Sequence, residues 1–346
     1  MMRPAWRSLA VVAAAVALVL LAAAPAWADA ATPTNYRSQI VYIEGPGVVA
    51  AEIVGGDAFV RMTTEPGMTV EVLGYEGEEY IRFDPDGAVV VNQRSPATYL
   101  NDDRYANVEL PAEADATAVP RWESVSTDGT YSWHDHRTHW MSPTPPASVL
   151  ATDGNETVQI FDWILPLRVD GAEGRIVGTL TWIPSSTALP WFALAAVTLV
   201  AVAAVSLLIR PRLQAVLLLV LALAALVAGA SAMLAQPPEG RVYGVDLIGP
   251  PVIVFLSGFA VSTGRRSARL ASQLVLIGSV GLSIWGVLRV GVLTHPILPT
   301  LLPDAVDRLI TSVVLGGAVG LTAGIIASIT LENRAERIAG DGHRAP

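Results

Sequence analysis

The chain has 346 residues, 52% of them hydrophobic and only 15% charged, where a typical soluble domain is about 25% charged. That balance excludes a disordered protein and argues against an ordinary soluble enzyme. Cysteine is absent, which excludes disulfides, thiolate metal sites, cysteine nucleophiles and a lipid-modified N-terminal cysteine.

The net charge of −9 is an average over three unlike regions. Residues 1–28 hold two Arg and no acid, residues 29–188 hold 24 acids and 9 Arg, and residues 189–346 hold 7 acids and 11 Arg. The division predicts an acidic aqueous domain joined to a membrane part with a basic inner side. Arg3 and Arg7, the apolar run from Ala10 to Ala24 and the small-x-small pattern at Ala26–Ala28 read as a signal peptide over 1–28. An uncleaved first membrane helix is the alternative, and either one exports the next domain of the chain.

Residues 29–188 read as an extracytoplasmic all-β domain, a β-sandwich of immunoglobulin-like or similar type. Alternating or β-branched runs predict strands at 36–44, 48–54, 59–63, 69–73, 80–84, 88–92, 158–169 and 175–183. Turn signals separate them, among them Asp84-Pro85-Asp86-Gly87 and Asp170-Gly171. A segment rich in Pro, Asp and Ala, 111–120, interrupts the pattern.

One stretch carries the residues for chemistry: Tyr131-Ser132-Trp133-His134-Asp135-His136-Arg137-Thr138-His139-Trp140-Met141. Three of the five His lie within six residues, between two Trp and a Met. On a strand His134 and His136 share a face; on a helical turn His136 and His139 do. In either case the third imidazole joins only through a local kink. Imidazole without thiolate suits Cu(II), Zn(II) or Ni(II), and a thioether beside an indole adds Cu(I). The expected ligands are therefore His134, His136, His139 and Met141, with Trp133 and Trp140 as shielding and a copper ion as the favoured cofactor. Uptake is expected to weaken below about pH 6, where exposed imidazoles protonate. The competing reading is a hydrogen-bonded network, with Asp135 and Arg137 as a surface pair worth about 0–1 kcal/mol. No nucleophile-elbow, phosphate-loop, zincin or dinucleotide-binding motif occurs, so no enzyme is expected. The run Glu76, Glu78, Glu79 reads as a solvated edge, and Asn101–Tyr105 as a turn.

Five apolar stretches, 190–209, 213–235, 246–263, 269–290 and 308–330, predict a five-helix transmembrane domain over 189–330, followed by a cytoplasmic tail, 331–346. Arg210 and Arg212, then Arg265, Arg266 and Arg269, then Arg334 and Arg337 occupy alternate loops, which places those loops and the C-terminus in the cytoplasm. The loops with Glu239, Arg241 and Asp246, and with Asp304, Asp307 and Arg308, face out. Arg289 is expected to snorkel to the headgroups, and Pro250-Pro251 to kink or interrupt its span. Gly316, Gly320 and Gly324 suit close helix packing, within the bundle or in an oligomer. His295, in an outer loop, is a candidate extra metal ligand. The expected partners are the lipid bilayer and an envelope protein or second copy, with no nucleic acid.

Trp133–Met141, with Asn35–Ser38 and the S-P-A-T-Y-L-N stretch Ser95–Asn101, resembles a family of exported multi-span membrane proteins of high-GC Gram-positive bacteria with a W-H-D-H-R-x-H-W-M motif. The resemblance implies that architecture for nearly the whole chain and no particular activity. The residues themselves favour a membrane-anchored extracytoplasmic metal-binding protein handling copper. The alternatives are a structural or signalling membrane protein, and the receptor domain of a transporter.

Overall fold

The computed structural model describes residues 30–45, 47, 49–185, 187–240 and 244–342. The expected signal peptide lies outside them. In chain order the N-terminal part forms β1 (Tyr36–Glu44), β2 (Val49–Val54), β3 (Phe59–Thr64), β4 (Val70–Leu73), β5 (Glu79–Phe83), β6 (Val89–Asn92), α1 (Pro96–Leu100), β7 (Trp122–Ser126), β8 (Thr130–Trp133), α2 (Ala147–Leu150), β9 (Val158–Val169) and β10 (Ala172–Trp182). Seven strands form one antiparallel sheet in the order β1-β10-β9-β4-β5-β6-β7, and β2-β3-β8 form a second. Val60 and Met62 of β3 and Trp133 of β8 share one apolar core with Val70, Ile81, Phe83, Leu165 and Ile176 of the larger sheet. This is the expected all-β layering, one face of each sheet turned inward.

The strands read from alternation are present, with ends shifted by a few residues. The β9–β10 hairpin turns on Asp170 and Gly171, both at positive φ (48° and 81°), the backbone a two-residue Asp-Gly turn requires. Two strands escaped the sequence reading. β7 is short and polar outside, and β8 has only four residues and runs into the histidine stretch.

The C-terminal part is helical: α3 (Leu189–Leu208), α4 (Pro211–Leu234), α5 (Gly244–Thr263), α6 (Ala268–Leu288), α7 (Gly291–Thr294) and α8 (Asp304–Gly342). Among the described residues, four helices are long and apolar enough to cross a membrane: α3, α4, α6 and Asp304–Leu331 of α8. In α5 the described apolar part is Ile248–Thr263, and the helix continues across Pro250 and Pro251 without interruption. Ala215, Leu218, Ala222, Leu282, Trp285, Ala318 and Leu321 form the interior of the bundle.

One expectation about the bundle changes, and another takes a definite form. Arg289 does not snorkel. Its Nη2 donates to both carboxylate oxygens of Asp307, at 2.9 and 3.1 Å, and both side chains are buried. A buried cation needs a partner, and Asp307 supplies it from the first turn of α8, where the helix dipole favours an acid. Gly316, Gly320 and Gly324 are filled from within the chain. A Cβ at Gly316 would run into the carbonyl oxygen of Ala195, at Gly320 into that of Leu199, and at Gly324 into Ser206. The glycine stripe therefore seats α3, the within-bundle packing expected of it.

The two parts touch directly. Thr34 and Ile297 form an antiparallel bridge, with N–H···O distances of 3.0 and 3.2 Å. Gly320→Leu should force α3 off α8 and cost about 1–3 kcal/mol or more by overpacking. Gly258→Leu, on an open face of α5, should behave as wild type. Thermal unfolding in detergent measures both, and equal midpoints would refute the packing role.

Candidate metal centre

β8 ends at Trp133, which lies opposite Val60 of β3. The Trp133 ring is buried in the core, and its Nε1 donates to Asp135 Oδ2 at 3.0 Å. The backbone is extended at Asp135 (φ −136°, ψ 118°), closes one 3₁₀ turn over His136–Thr138, and is extended again at His139 (φ −138°, ψ 170°). Asp135 caps this turn. Its Oδ1 accepts from the Arg137 backbone N–H at 3.1 Å. Its carbonyl accepts from Thr138 N–H at 3.0 Å and from the Thr138 hydroxyl at 2.8 Å.

Arg137 then grips the same carboxylate with Nε and Nη2, both at 2.8 Å, and donates Nη1 to Leu73 O at 3.0 Å. Asp135 is completely buried, so the weak surface pair expected from alternation is instead an interior fork. Its two bonds are the charge-assisted, bidentate kind. Burial pushes the Asp135 carboxyl up, but Arg137 and the Trp133 indole outweigh it and hold the group below its ordinary range.

The kink brings all three imidazoles together, because residues i and i+3 of a 3₁₀ turn eclipse and His134 arrives from the strand end. One nitrogen of each ring lies within 4.8 Å of one from each of the others. Ring centres are 5.5 Å apart for His134 and His136, 4.2 Å for His134 and His139, and 5.4 Å for His136 and His139. Each ring also meets a main-chain carbonyl: His134 Nδ1 with Ala58 O at 2.7 Å, His136 Nε2 with Asp103 O at 2.8 Å, and His139 Nδ1 with Trp140 O at 3.0 Å. A carbonyl only accepts, so those nitrogens carry the protons. The lone pairs of the neutral rings then sit on His134 Nε2, His136 Nδ1 and His139 Nε2. Metal-ligating histidines are oriented in this way. His139 Nε2 is buried with no hydrogen-bond partner among the described residues, an arrangement that costs about 1–3 kcal/mol in a purely structural network.

Burial pushes His134 down to about 4 and His139 down to about 2, and it lowers His136 as well. All three rings are neutral at neutral pH, the form a metal ion requires.

The other expected site residues fall in different places. Trp133 anchors Asp135 from the core. Trp140 is partly buried and ties its Nε1 to Thr144 O at 2.7 Å. Met141 is 38% exposed, on the wall of a groove of about 420 Å³ shared with His136, His139, Trp140, Phe161 and Trp163. His295 stays with its own turn, its Nδ1 3.0 Å from both Gly291 O and Thr294 Oγ1, outside the three-imidazole cluster. A second groove, of about 320 Å³, meets His134 from another side and is lined by Asp102, Glu123 and Glu239.

Sequence reasoning missed the supporting shell. Tyr75 stacks on His136, accepts its backbone N–H at 3.1 Å and donates to Asn101 Oδ1. The Asn101–Tyr105 segment is indeed a turn, but it presents the Asp103 carbonyl to His136, and its Arg104 pairs with the buried Asp57. Glu78, expected on a solvated edge, is buried and accepts from Ser95 Oγ and the Glu76 N–H. Main-chain carbonyls leave no trace in residue type, so only the serine, tyrosine and asparagine offered a signal.

No family model matches the chain, and neither does any curated protein or solved structure.

The values for His134 and His139 lie below the ordinary 6.5, so the unfolded chain binds more protons in acid and stability falls as pH drops below about 6.5. His134 stops adding to the slope near pH 4, and His139 near pH 2. Each ring should contribute up to about 1.4 kcal/mol per pH unit inside its window. Denaturant unfolding of the full chain in detergent, followed by tryptophan fluorescence, measures this. A flat profile between pH 6.5 and 4 would refute the buried neutral rings.

Proposed function

We propose that this chain is a membrane-anchored protein whose β-domain stands outside the cytoplasm and holds one transition-metal ion, copper, through His134, His136 and His139. The observation that carries the reading is the convergence of three neutral imidazoles, each oriented by a carbonyl, around a His139 Nε2 with no hydrogen-bond partner among the described residues. Tetrahedral metal–nitrogen bonds of about 2.0–2.1 Å put nitrogens about 3.3 Å apart, so the cluster closes on an ion by a modest inward movement. At equal availability an imidazole site ranks Cu(II) above Zn(II) and Ni(II). When bound, the ion would supply a Lewis-acidic and redox-active centre with three protein ligands.

The β-domain as a structural or signalling module draws support from the carbonyl bond that each ring makes. It leaves unexplained why one nitrogen of each ring lies within 4.8 Å of one from each of the others. A bundle core filled by Trp285, Leu218, Leu282 and Leu321 speaks for an anchor rather than a conduit. The orientation rests on the arginines between α3 and α4 and between α5 and α6, which alternate with the acidic loops, and on the resemblance to exported membrane proteins.

Purified full-length protein in detergent should take up about one equivalent of copper, and the His134→Ala/His136→Ala/His139→Ala variant should lose it. Paramagnetic resonance of the Cu(II) form should show nitrogen coupling from imidazoles. Equal, weak uptake by both proteins would overturn the reading. Because burial lowers the ring values, uptake should persist below the pH 6 expected for exposed histidines.

The absence of cysteine makes topology directly measurable. Glu173→Cys on β10 should react with an impermeant maleimide on intact cells, and Arg334→Cys only after permeabilisation. The reverse pattern would invert the orientation.

A further inference from the structure

Three imidazoles enclosed by protein pose a question of access, and the two grooves that reach them differ in chemistry. The groove beside His134 is lined by the carboxylates of Asp102, Glu123 and Glu239, the last from the loop after α4. The groove beside His136 and His139 is walled by Trp140, Phe161 and Trp163 and has one soft donor, Met141. Met141 comes two residues after the extended His139 and is 38% exposed, whereas His139 is fully buried. The Trp140 indole bonded to Thr144 O pins the turn that carries it. His139 Nε2, buried and without a hydrogen-bond partner among the described residues, is the lone pair nearest in sequence to that thioether.

We propose that Met141 is the capture ligand for Cu(I): its thioether takes the ion at the groove and passes it by ligand exchange to the His134, His136 and His139 cluster, where it does not remain a ligand. This rests on the metal-binding reading above. Thioether sulfur is soft and selects Cu(I) over Zn(II), and the indole face of Trp140 favours a cation beside it. No electron moves in the exchange: one Cu–S bond is replaced by a Cu–N bond, and neutral rings release no proton. A single exposed thioether binds weakly, which suits a transfer step and not a resting site. The carboxylate groove offers hard donors that suit divalent ions.

The test is the loading rate of the full-length protein in detergent, read by quenching of tryptophan fluorescence on mixing with Cu(I) in an acetonitrile buffer or with Zn(II). Met141→Leu should slow Cu(I) loading by about tenfold or more, leaving the final affinity and the Zn(II) rate within about twofold. Glu123→Gln/Glu239→Gln should leave the Cu(I) rate unchanged. Wild-type Cu(I) loading by Met141→Leu would overturn the proposal, as would equal slowing for Zn(II). A lower Cu(I) affinity in Met141→Leu would overturn it too, by making Met141 a resident ligand. If Met141→Leu loads normally while the triple-histidine variant does not load, only this proposal fails. If wild type binds neither ion, the metal-binding reading fails with it.

Discussion

The buried carboxylate of Asp135 is the constraint on which the site depends. It is held by the Trp133 indole on one side and the Arg137 fork on the other, and it caps the turn between them. A strand continuing straight through this point would send His134 and His136 to one face and His139 to the other. The capped 3₁₀ turn breaks that alternation over three residues. An ionised carboxylate so deep in protein is tolerated only with such complete pairing.

Around that turn the protein holds three imidazoles in their neutral form well into the acid range, where they would be protonated in water. Desolvation keeps them neutral, and three carbonyls from separate segments, at Ala58, Asp103 and Trp140, fix which nitrogen carries each proton. A buried His139 Nε2 with no hydrogen-bond partner among the described residues is a costly arrangement for packing alone. Elsewhere in the sandwich most buried polar groups have their partners: Glu78 with Ser95, Asn101 with Tyr80, Arg104 with Asp57. Ser38 Oγ and Trp163 Nε1 also lack a hydrogen-bond partner among the described residues, but His139 Nε2 differs in being an imidazole nitrogen within a three-histidine cluster, which suits a ligand.

The helical part works by close approach and one internal ion pair. The stripe of Gly316, Gly320 and Gly324 lets α3 lie directly on α8, and Arg289 with Asp307 ties α6 to the start of α8. Just before that start, the Thr34–Ile297 bridge joins the helical part to the β-domain. The Arg308 guanidinium donates to His295 O in the same connection. The sandwich is thus seated on the bundle through main-chain bonds as well as through its covalent link.

The two-part architecture was legible in the residues because it rests on composition and period. Apolar runs near 20 residues, alternating strands and Asp-Gly turns are local signals, and eight of the ten strands among the described residues came from them. The histidine stretch was legible as a candidate, including the need for a kink. The sequence alone could not choose between strand and turn, because both place two imidazoles together. That choice belongs to Asp135, whose partners Trp133 and Arg137 are neighbours in sequence but whose burial depends on β3, β4 and the core beneath. The sequence likewise contained Arg289 and Asp307 without pairing them, since their contact spans a loop and two helices. Composition and periodicity determined what kind of protein this is. Tertiary packing decided which polar groups are buried, and so which imidazoles are neutral, oriented and brought face to face.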